Sequence, residues 1–482
     1  MPKIAEHWKN YINAQWVDGG AERISVENPA TSKHLAWQAA ANSSDIAAAI
    51  SAAKACHESG TLNAMRPVER GRLVCKMGDY FLQNQEEIAT TLCLEQGKQL
   101  WEAKREVVNA ARYFEYYGSL AQALEGASIP LGENYLDFTR HEPFGVSAQI
   151  IPWNFPLEIA ARSIAAGLAT ANSCIVKPPE LAPLSSSYFA HAAEAVDLPA
   201  GALNIVSGLG KIAGSALCTH RDVRQIVFTG SVETGIAIAT MAAKNVVPCV
   251  LELGGKSAAI VCQDADIDNF INSLRAGIFT NSGQVCSAMS RVIVHEDIHD
   301  QVVEQAAELA KSISIGPGIE QTEPGLNMGA MICEPQRDRA TLLCQRAHDD
   351  GAQIVTGGHA LNREGSFMQP TILSKVDPSS EMGQTEVFGP VVSIMKYQSD
   401  AQAIAIANGT PYGLVGGIFT RDIDRAMSAA RQIRAGQVFV NEWFAGGVET
   451  PFGGFGISGY GREKGKEALL NYVQTKNIAI RL

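Results

Sequence analysis

Apolar residues recur at helical spacing through much of the first 120 residues. The spacing predicts an alanine-rich helix over 46–57 with Ser44 and Asp45 at its start, a second helix that opens at Pro67, and a third over about 99–117. The aromatic tract 113–117 has two interpretations, a ligand cage or core packing, and its helical setting favours the core. Residues 11–30 alternate and turn, and Asp18-Gly19-Gly20 predicts a hairpin there.

From Pro143 onward, short apolar strands alternate with helices. Strands are predicted at 144–151, 173–177, 203–206, 225–228 and 246–251, and helices at 157–169, 185–196 and 231–243. This alternation is typical of a parallel sheet with helices on both faces and ligands at the carboxyl ends of its strands. The middle of the chain therefore predicts dinucleotide-binding architecture.

A second alternation follows Gly254. Its predicted elements are a helix at 267–280, a strand at 291–295, a helix at 335–349 and a strand at 391–397. Closely spaced glycines in the tail indicate tight approach of backbones. The last segment, Ile478 to Leu482, is β-prone and is expected to pair with a neighbouring chain.

Length and charge narrow the class of protein. A chain of 482 residues predicts about two or three domains, and its net charge of −11 argues against a nucleic-acid partner. The sequence has no run of roughly 18 apolar residues and no signal-peptide pattern, so we expect no membrane association. The ten cysteines include no CxxC pair, which predicts neither a metal site nor disulfides and favours a cytoplasmic location.

The candidate chemistry centres on Cys286 and Glu252. Cys286 stands in the polar segment 281–288, and Glu252 runs directly into Gly254-Gly255, with 34 positions separating the cysteine from the acid. A thiolate is a strong nucleophile, and a nearby carboxylate can activate the water that releases a covalent intermediate. A free cysteine is also commonly a small buried hydrophobe, so spacing alone leaves both interpretations open.

The expected GxGxxG dinucleotide fingerprint is missing, since Gly208-Leu209-Gly210 followed by Gly214 has the wrong spacing. The stretch 228–235 ends a strand and opens a helix, so its N–H groups and the Ser231 hydroxyl could meet a phosphate. A plain turn with a capping serine is the alternative. Glu180 could accept hydrogen bonds from ribose hydroxyls and repel a 2′-phosphate, which favours NAD over NADP. The alternative is an ion pair of Glu180 with Lys177 on the surface.

Seven segments in one order carry a family resemblance. They are Ile151-Pro152-Trp153-Asn154-Phe155-Pro156, Lys177-Pro178-Pro179-Glu180, Phe228-Thr229-Gly230-Ser231, Glu252-Leu253-Gly254-Gly255-Lys256, Gly283-Gln284-Val285-Cys286, Glu386-Val387-Phe388-Gly389-Pro390 and Pro451-Phe452-Gly453-Gly454. Together they resemble the NAD(P)-dependent aldehyde dehydrogenase superfamily, of the hydrolytic type that does not acylate CoA.

The resemblance implies an α/β fold in three parts. A Rossmann-type cofactor domain with a parallel sheet would comprise residues 1–121 and 141–253, and an α/β catalytic domain residues 254–455. A small β oligomerisation arm would comprise 122–140 and 456–482. The resemblance also implies a homodimer or homotetramer.

The implied chemistry agrees with the candidate residues. Cys286 would attack an aldehyde, Asn154 with the Cys286 N–H would hold the oxyanion, and Glu252 would activate water to hydrolyse the thioester. The cofactor, NAD rather than NADP, would contact Ile151, Pro152, Trp153, Lys177, Glu180, Gly210, Phe228, Gly230, Ser231, Leu253, Glu386 and Phe388. No metal is implied.

One position departs from the family pattern. Many members carry a lysine where this chain has Ser163, and that lysine often acts in proton relay with the acid that matches Glu463. The departure leaves the role of Glu463 open.

The substrate is expected to meet one helical face made by Phe155, Glu158, Ile159 and Arg162. Arg162 could bind a carboxylate or hydroxyls of a polar aldehyde, such as a semialdehyde, a hydroxyaldehyde or a sugar-type aldehyde. In the rival interpretation Glu158 neutralises Arg162 within the helix. Resemblance to aminoaldehyde and betaine-aldehyde members keeps a cationic substrate open, with Glu158 as its partner. The aromatic side chains of the segment 442–447 that would close the tunnel mouth are Trp443 and Phe444.

Two other activities remain as alternatives. A CoA-acylating relative would use the same cysteine but commonly lacks the acid at position 252. A cysteine hydrolase without a cofactor would need a histidine near Cys286, and neither motif has one nearby.

Overall fold

The apolar strands of the middle of the chain lie side by side in an eight-stranded sheet, the first sheet, in a computed structural model that describes residues 4–482. Its strands in spatial order are Gly459–Tyr460, Cys249–Glu252, Gln225–Thr229, Val146–Ile150, Ser173–Lys177, Leu203–Ile205, Asn10–Ile12 and Gln15–Val17. The five strands from Cys249–Glu252 to Leu203–Ile205 are parallel, which confirms the predicted parallel sheet. They are almost entirely buried because helices cover both faces.

The helices of this half include all those that the apolar spacing predicts. They are Ser43–Glu58, Thr61–Ala64, Pro67–Gln83, Gln85–Gln96, Leu100–Leu120, Pro156–Ala169, Ser187–Ala195, Ser215–Thr219 and Val232–Ala243. The first helix is capped by Asn42, not by the predicted Ser44, because the Asn42 side chain accepts the N–H groups of Ser44 and Asp45. Within the aromatic tract, Tyr113, Phe114 and Tyr117 are buried, so core packing is confirmed.

The predicted hairpin at Asp18-Gly19-Gly20 is wrong. The tight turn lies earlier, at Asn13 and Ala14, which have φ values of 53° and 59° and join Asn10–Ile12 to Gln15–Val17. Asp18-Gly19-Gly20 instead leads from the first sheet into a separate three-stranded sheet. That sheet contains His7–Trp8, Lys33–Ala40 and Ala21–Asn28. Gly19 is needed because a Cβ there would stand 1.9 Å from the Ala40 carbonyl oxygen.

The second half of the chain builds a seven-stranded sheet, the second sheet. Its spatial order is Gln353–Thr356, Thr371–Ser374, Val391–Tyr397, Arg291–His295, Ala258–Val261, Val415–Phe419 and Gln437–Val440. All neighbours are parallel except the first pair. Its helices are Ile267–Phe279, His299–Ser312, Glu334–Asp349, Glu381–Gln384, Asp400–Ala407 and Ile423–Gln432, and a two-stranded sheet joins Ser314–Ile315 to Asn327–Met328.

A three-stranded antiparallel sheet, the arm sheet, stands apart from both. Tyr135–Pro143 lies at its centre between Ser128–Ile129 and Val473–Arg481. The C-terminal strand thus pairs along nine positions with its own chain and forms one edge of this sheet. Pairing of its outer edge with a neighbouring chain stays a prediction. The domain boundaries also stay predictions, and residues 1–3 of the first domain lie outside the described part.

One short strand within the segment assigned to the arm has a different place. Gly459–Tyr460 extends the first sheet by pairing antiparallel with Leu251 and Glu252. The tail therefore lines the end of the Glu252 strand before it turns toward the arm sheet. No helix in the described range 4–482 is long and apolar enough to cross a membrane.

Candidate active site

The two sheets bring Glu252 and Cys286 into one region. Glu252 ends its strand at the carboxyl edge of the first sheet, and Cys286 lies on a turn before Arg291–His295 of the second sheet. The chain crosses between the sheets at Gly254-Gly255, where a Cβ on Gly255 would stand 2.8 Å from the Cys286 carbonyl oxygen. Such a close approach requires glycine.

The turn that presents Cys286 has an unusual backbone. Asn281, Ser282 and Gly283 all have left-handed φ values, of 48°, 54° and 73°. A Cβ on Gly283 would stand 2.1 Å from the Gly389 carbonyl oxygen, so only glycine fits there. Left-handed residues other than glycine are held against a local cost, and here the turn is held by hydrogen bonds. The Gln284 side chain provides two of them, donating to the Asn281 carbonyl and accepting from the Ile332 N–H.

Asn154 lies beside this turn. It is buried, and its side-chain amide donates to the Gln284 carbonyl at 3.0 Å, two residues before Cys286. The backbone carbonyl of Asn154 accepts a hydrogen bond from the side-chain amide of Asn281 at 2.9 Å. The Asn154 amide therefore has one N–H engaged with the turn, and a second N–H is available as a donor.

Glu252 is a buried carboxyl group without a hydrogen-bond partner on either oxygen among the described residues. Burial raises its pKa well above the usual range, while the charge of Arg162 opposes the rise. Gly453 lets the tail pass close by, because a Cβ there would stand 2.8 Å from Oε1 of Glu252. A buried carboxyl group without a hydrogen-bond partner is typical of a group that exchanges protons during a reaction.

The Cys286 thiol is partly buried. Burial raises its pKa to about 12, and the carboxylates of Glu386 and Glu252 add to the rise. The positive charge of Arg162 is the largest opposing influence. Arg162 therefore lowers the pKa of both Cys286 and Glu252.

Arg162 itself is buried, and its Nε lies 2.9 Å from Oε2 of Glu463. Its Nη2 donates to the Thr229 hydroxyl at 3.0 Å. Glu463 also accepts the hydroxyls of Ser163 and Tyr472, at 3.2 and 3.0 Å. Many family members pair the acid that matches Glu463 with a lysine at position 163. In this chain Glu463 is paired with Arg162, one position before Ser163 in the helix.

The rival interpretation, in which Glu158 neutralises Arg162, is not observed. The Glu158 carboxylate accepts the Asn109 amide at 3.1 Å and the Tyr113 hydroxyl at 3.5 Å. Among residues 4–482 it forms no salt bridge. Its hydrogen bonds come from neutral donors, and its charge also acts on the partly buried ammonium of Lys464, where it opposes the fall in pKa that burial causes.

The predicted adenosine contacts surround a Lys177–Glu180 pair. Lys177 Nζ lies 3.5 Å from Glu180 Oε1 and donates to the Pro178 carbonyl, while Glu180 also accepts the N–H of Gly210. The ion pair of the alternative interpretation is therefore present. Burial lowers the pKa of Lys177, and the Glu180 charge counters this.

The predicted pyrophosphate turn joins the end of Gln225–Thr229 to the helix Val232–Ala243. Ser231 caps this helix by accepting the Thr234 N–H, and it is exposed. Gly230 lies against the ring of Phe228, where a Cβ would meet the ring at 2.4 Å. Leu253 is buried against Gly235 of the same helix, 2.6 Å from the Cβ position there.

Three of the predicted cofactor contacts, Glu386, Trp153 and Phe388, lie where the two sheets meet. Glu386 Oε1 accepts the Gly255 N–H at 3.0 Å, and burial raises its pKa to about 7. The rings of Trp153 and Phe388 meet edge to face with centroids 5.3 Å apart. The segment that holds Trp153 starts at Ile151, whose N–H donates to the Lys177 carbonyl, and continues through Pro152.

These residues fit a dinucleotide. The segments that begin at Ile151, Lys177, Gly230 and Leu253 follow four parallel strands at one edge of the first sheet, the place where such sheets bind ligands. Within residues 4–482 no group of three His, Cys, Asp or Glu side chains could hold a metal ion.

Comparison with known proteins agrees with this geometry. The family model "Aldehyde dehydrogenase family" matches residues 16–478. The chain belongs to the aldehyde dehydrogenase family. It is 39% identical over 475 residues to an aldehyde dehydrogenase of Aspergillus niger, covering 98% of this chain and 95% of that one.

Solved structures of the family superpose closely on the chain. An NAD+ complex of aldehyde dehydrogenase from Bacillus cereus has a TM-score of 0.96 and 36% identity, covering 99% of this chain and 97% of that one. Betaine aldehyde dehydrogenase from Staphylococcus aureus, in complex with NAD+, has a TM-score of 0.95 and 33% identity, covering 98% and 94%. The predicted aldehyde dehydrogenase fold is confirmed.

The predicted substrate residues of this family member lie in different settings. Phe155 and Phe444 are partly buried, whereas Ile159 and Trp443 are buried. The Trp443 indole donates to the Ser287 carbonyl at 3.0 Å, so it holds the residue that follows Cys286. Whether these side chains contact substrate stays a prediction.

Sequence reasoning missed three buried charged residues behind the site, Lys98, Glu102 and Glu106. Glu102 accepts the N–H of Asn281 at 2.9 Å, and Lys98 donates to the Asn154 carbonyl at 2.9 Å. Lys98 precedes the helix Leu100–Leu120, and the two glutamates lie in its first two turns. The signal in the sequence is that both glutamates fall on the same helical face as the apolar residues Ala103, Val107 and Ala110.

Proposed function

We propose that this chain oxidises an aldehyde to a carboxylic acid with NAD, through a covalent intermediate on Cys286. The observation that carries the proposal is the meeting of three groups from two sheets. They are a partly accessible thiol, a buried and unsatisfied carboxyl group, and an amide hydrogen-bonded to the thiol's own turn. A nucleophile, a base and an oxyanion donor are the parts that acyl chemistry needs.

The first step forms a bond between the Cys286 sulfur and the carbonyl carbon. The thiol proton passes to the carboxylate of Glu252, and the carbonyl π electrons move onto oxygen. The free N–H of the Asn154 amide and the Cys286 N–H donate to that oxyanion, and each such donor typically lowers the barrier by about 3 kcal/mol. When bound, the nicotinamide would supply an acceptor for the hydride of the adduct carbon. As that carbon–hydrogen bond breaks, the oxyanion electrons re-form the carbonyl, and the acyl group remains on Cys286 as a thioester.

The second step hydrolyses this thioester. Glu252, after losing its proton to solvent, takes a proton from water, and the oxygen bonds to the acyl carbon. The carbon–sulfur bond then breaks with its electrons on sulfur, which releases the acid and regenerates the thiolate. The raised pKa of Glu252 suits it to accept these protons.

For the cofactor we propose NAD over NADP. The carboxylate of Glu180 would repel a 2′-phosphate at the end of the second parallel strand. The two solved relatives described above hold NAD+, which supports the same choice.

For the substrate we propose a polar aldehyde, such as a hydroxyaldehyde, a semialdehyde or a sugar-type aldehyde. Arg162 stands on the helix face that follows Asn154, but its charge is already met by Glu463. A substrate carboxylate would compete with this pair, whereas a hydroxyl could use a remaining N–H. The pairing therefore favours hydroxylated aldehydes within the proposed class.

A second candidate is an aminoaldehyde or betaine aldehyde. The observation in its favour is the carboxylate of Glu158, which accepts hydrogen bonds from neutral donors and forms no salt bridge among the described residues. The Staphylococcus aureus relative is named a betaine aldehyde dehydrogenase. A CoA-acylating activity is less favoured, because Glu252 is present to direct the thioester to water.

We also propose a homodimer or homotetramer in the cytoplasm. The arm sheet exposes Leu131, Leu136 and Ile480, apolar side chains that a second copy would cover. All ten cysteines are free thiols, which suits a reducing compartment.

The test is a panel of aldehydes in which NADH formation is followed by absorbance. The panel contains hydroxyaldehydes, semialdehydes, betaine aldehyde and unsubstituted alkanals, each with NAD or NADP and with or without CoA. We expect turnover with NAD, independent of CoA, and greatest for hydroxyaldehydes. Cys286→Ala should abolish it. Turnover that persists in Cys286→Ala would contradict the mechanism, and a preference for betaine aldehyde would establish the second candidate.

A further inference from the structure

A fully buried ion pair lies behind Asn154. Lys98 precedes the helix Leu100–Leu120, Glu106 lies within it, and their side chains are 0% and 1% exposed. The ammonium of Lys98 donates to Oε2 of Glu106. Buried pairs of this kind commonly add little to stability, because removing two charges from water offsets their attraction. Their geometry is therefore the more informative property.

Within residues 4–482, every other hydrogen bond of the two side chains falls on one short segment, residues 154–158. Lys98 Nζ donates to the Asn154 carbonyl at 2.9 Å and stands 4.2 Å from the centre of the Phe155 ring. Glu106 Oε1 accepts the N–H groups of Leu157 and Glu158, at 3.0 and 3.2 Å. These two are among the first N–H groups of the helix Pro156–Ala169, which have no partner inside the helix.

The opposite wall of the site has its own support. Glu102, one turn before Glu106, accepts the N–H of Asn281 and so holds the turn that carries Cys286. One helix therefore supports the oxyanion donor through Lys98 and Glu106, and the nucleophile through Glu102. Asn154 also bonds directly to Asn281 and Gln284 of that turn, so the reactivity of the Cys286 thiol must be measured beside turnover.

We propose that Lys98 and Glu106 are positioning residues for Asn154. The pair fixes both ends of the 154–158 segment, so that the free N–H of the Asn154 amide faces the oxygen of the adduct on Cys286. The inference rests on the proposed function, since it assigns a support to one of the groups used there. Displacement by about 1 Å of a group that stabilises a transition state can cost roughly 100-fold in rate.

The experiment compares four variants with the parent protein, and the fourth combines the paired change described next with Asn154→Ala. Lys98→Met/Glu106→Gln removes both charges together and retains an acceptor for the helix N–H groups, so that no buried charge is left alone. Asn154→Ala removes the donor itself. Lys104→Met is the matched control, because Lys104 lies on the same helix and pairs with Glu86 at 2.8 Å, but on the surface.

Each variant is measured in three ways. The first is kcat and KM for the best aldehyde of the panel. The second is the rate at which iodoacetamide alkylates Cys286 without cofactor or aldehyde, a reaction that creates no oxyanion. The third is the thermal midpoint.

The paired variant is expected to lose at least about tenfold in kcat with little change in KM. Its alkylation rate should stay within about twofold of the parent. Asn154→Ala should lose about 100-fold to 1000-fold in kcat. Adding the paired change to Asn154→Ala should then cost less than about threefold more, because the donor that it positions is gone.

Three results would overturn the proposal. The first is an equal loss in the presence and absence of Asn154, and the second is a loss of alkylation as large as the loss of turnover. Lys104→Met should match the parent in all three measurements, and a loss equal to that of the paired variant would also count against it. Full activity of Asn154→Ala would instead contradict the proposed function, which distinguishes the two failures.

Discussion

The Nε atom of Arg162 lies 2.9 Å from Oε2 of Glu463, and both side chains are buried. The pair stands close enough to Cys286 and Glu252 for the charge of Arg162 to lower the pKa of both. Its closest neutral partner, Thr229, is paired across the first sheet with Glu252. One guanidinium thus balances Glu463 and favours the ionised forms of the two candidate catalytic groups.

Replacing Arg162 with Leu should move the pH dependence of the reaction upward. Without the positive charge, the pKa values of Cys286 and Glu252 rise, so ionisation of each requires a higher pH. We expect the alkylation rate of Cys286 at a fixed pH of about 8 to fall by roughly tenfold or more. Arg162→Lys retains the charge and should shift the profile less. An unchanged profile for Arg162→Leu would contradict this role.

The same substitution should destabilise the fold, and more so at high pH. Removing one partner of a buried pair typically costs about 3–5 kcal/mol. Glu463 would then remain protonated in the folded protein, with its pKa raised further above the unfolded value. An acid with a raised folded pKa loses its contribution to stability as pH rises from the unfolded value toward the folded one. Thermal midpoints should therefore fall further below the parent at pH 8 than at pH 5, and Arg162→Leu/Glu463→Gln should reduce that difference.

Glu252→Gln should slow hydrolysis of the thioester more than its formation, because the Cys286 thiol can also lose its proton to solvent. The amide cannot take a proton from water, so the thioester on Cys286 should accumulate. We expect steady-state turnover to fall by about 100-fold to 10,000-fold, while a single burst of NADH remains. Stopped-flow absorbance and the mass of the intact protein would measure these two features. Glu308→Gln, at an exposed position on the helix His299–Ser312, is the control, and loss of the burst without a thioester would contradict the assignment.

Periodicity predicts most of the fold because the elements are long and regularly patterned. The strands Ser173–Lys177, Arg291–His295 and Val391–Tyr397 have the predicted bounds, since each is a continuous apolar run between turn residues. The hairpin is misplaced because Asp18-Gly19-Gly20 and Asn13-Ala14 both suit a turn, and only pairing partners far along the chain decide between them. Local composition contains no information on those partners.

Sequence motifs predict the members of the candidate site but not the buried residues around them. Motifs predict Cys286, Glu252 and Asn154. Glu463, in contrast, contacts Arg162 and Ser163, and 300 positions of the chain separate Ser163 from Glu463. Lys98 and Glu106 look like ordinary charges of an amphipathic helix. Their burial arises from how the helix Leu100–Leu120 packs on Pro156–Ala169, which depends on the whole tertiary structure.

Gly254→Ala should weaken binding of NAD. A Cβ on Gly254 would stand 2.1 Å from Oε2 of Glu386, so the flexible carboxylate must move and lose the Gly255 N–H. A hydrogen bond to a charged group contributes about 1.5–3 kcal/mol, so affinity should fall by roughly tenfold to 100-fold if Glu386 holds the cofactor. Titration followed by tryptophan fluorescence measures this. In the control Gly316→Ala, the Cβ meets only the end of the Gln321 side chain at 3.2 Å, and unchanged affinity in both variants would contradict the role of Glu386.

Glu180→Gln should narrow the preference for NAD over NADP. The carboxylate lies 3.5 Å from Lys177 and accepts the Gly210 N–H, at the position expected for the adenosine ribose. The amide keeps an acceptor but removes the repulsion of a 2′-phosphate, and it frees the Lys177 charge to attract one. We expect the ratio of kcat/KM for NADP to that for NAD to rise by about tenfold or more, since like charges in contact cost several kcal/mol. Glu233→Gln removes an equal charge from the first turn of the helix that Ser231 caps, so a rise of the same size there would show that net charge, and not Glu180, sets the preference.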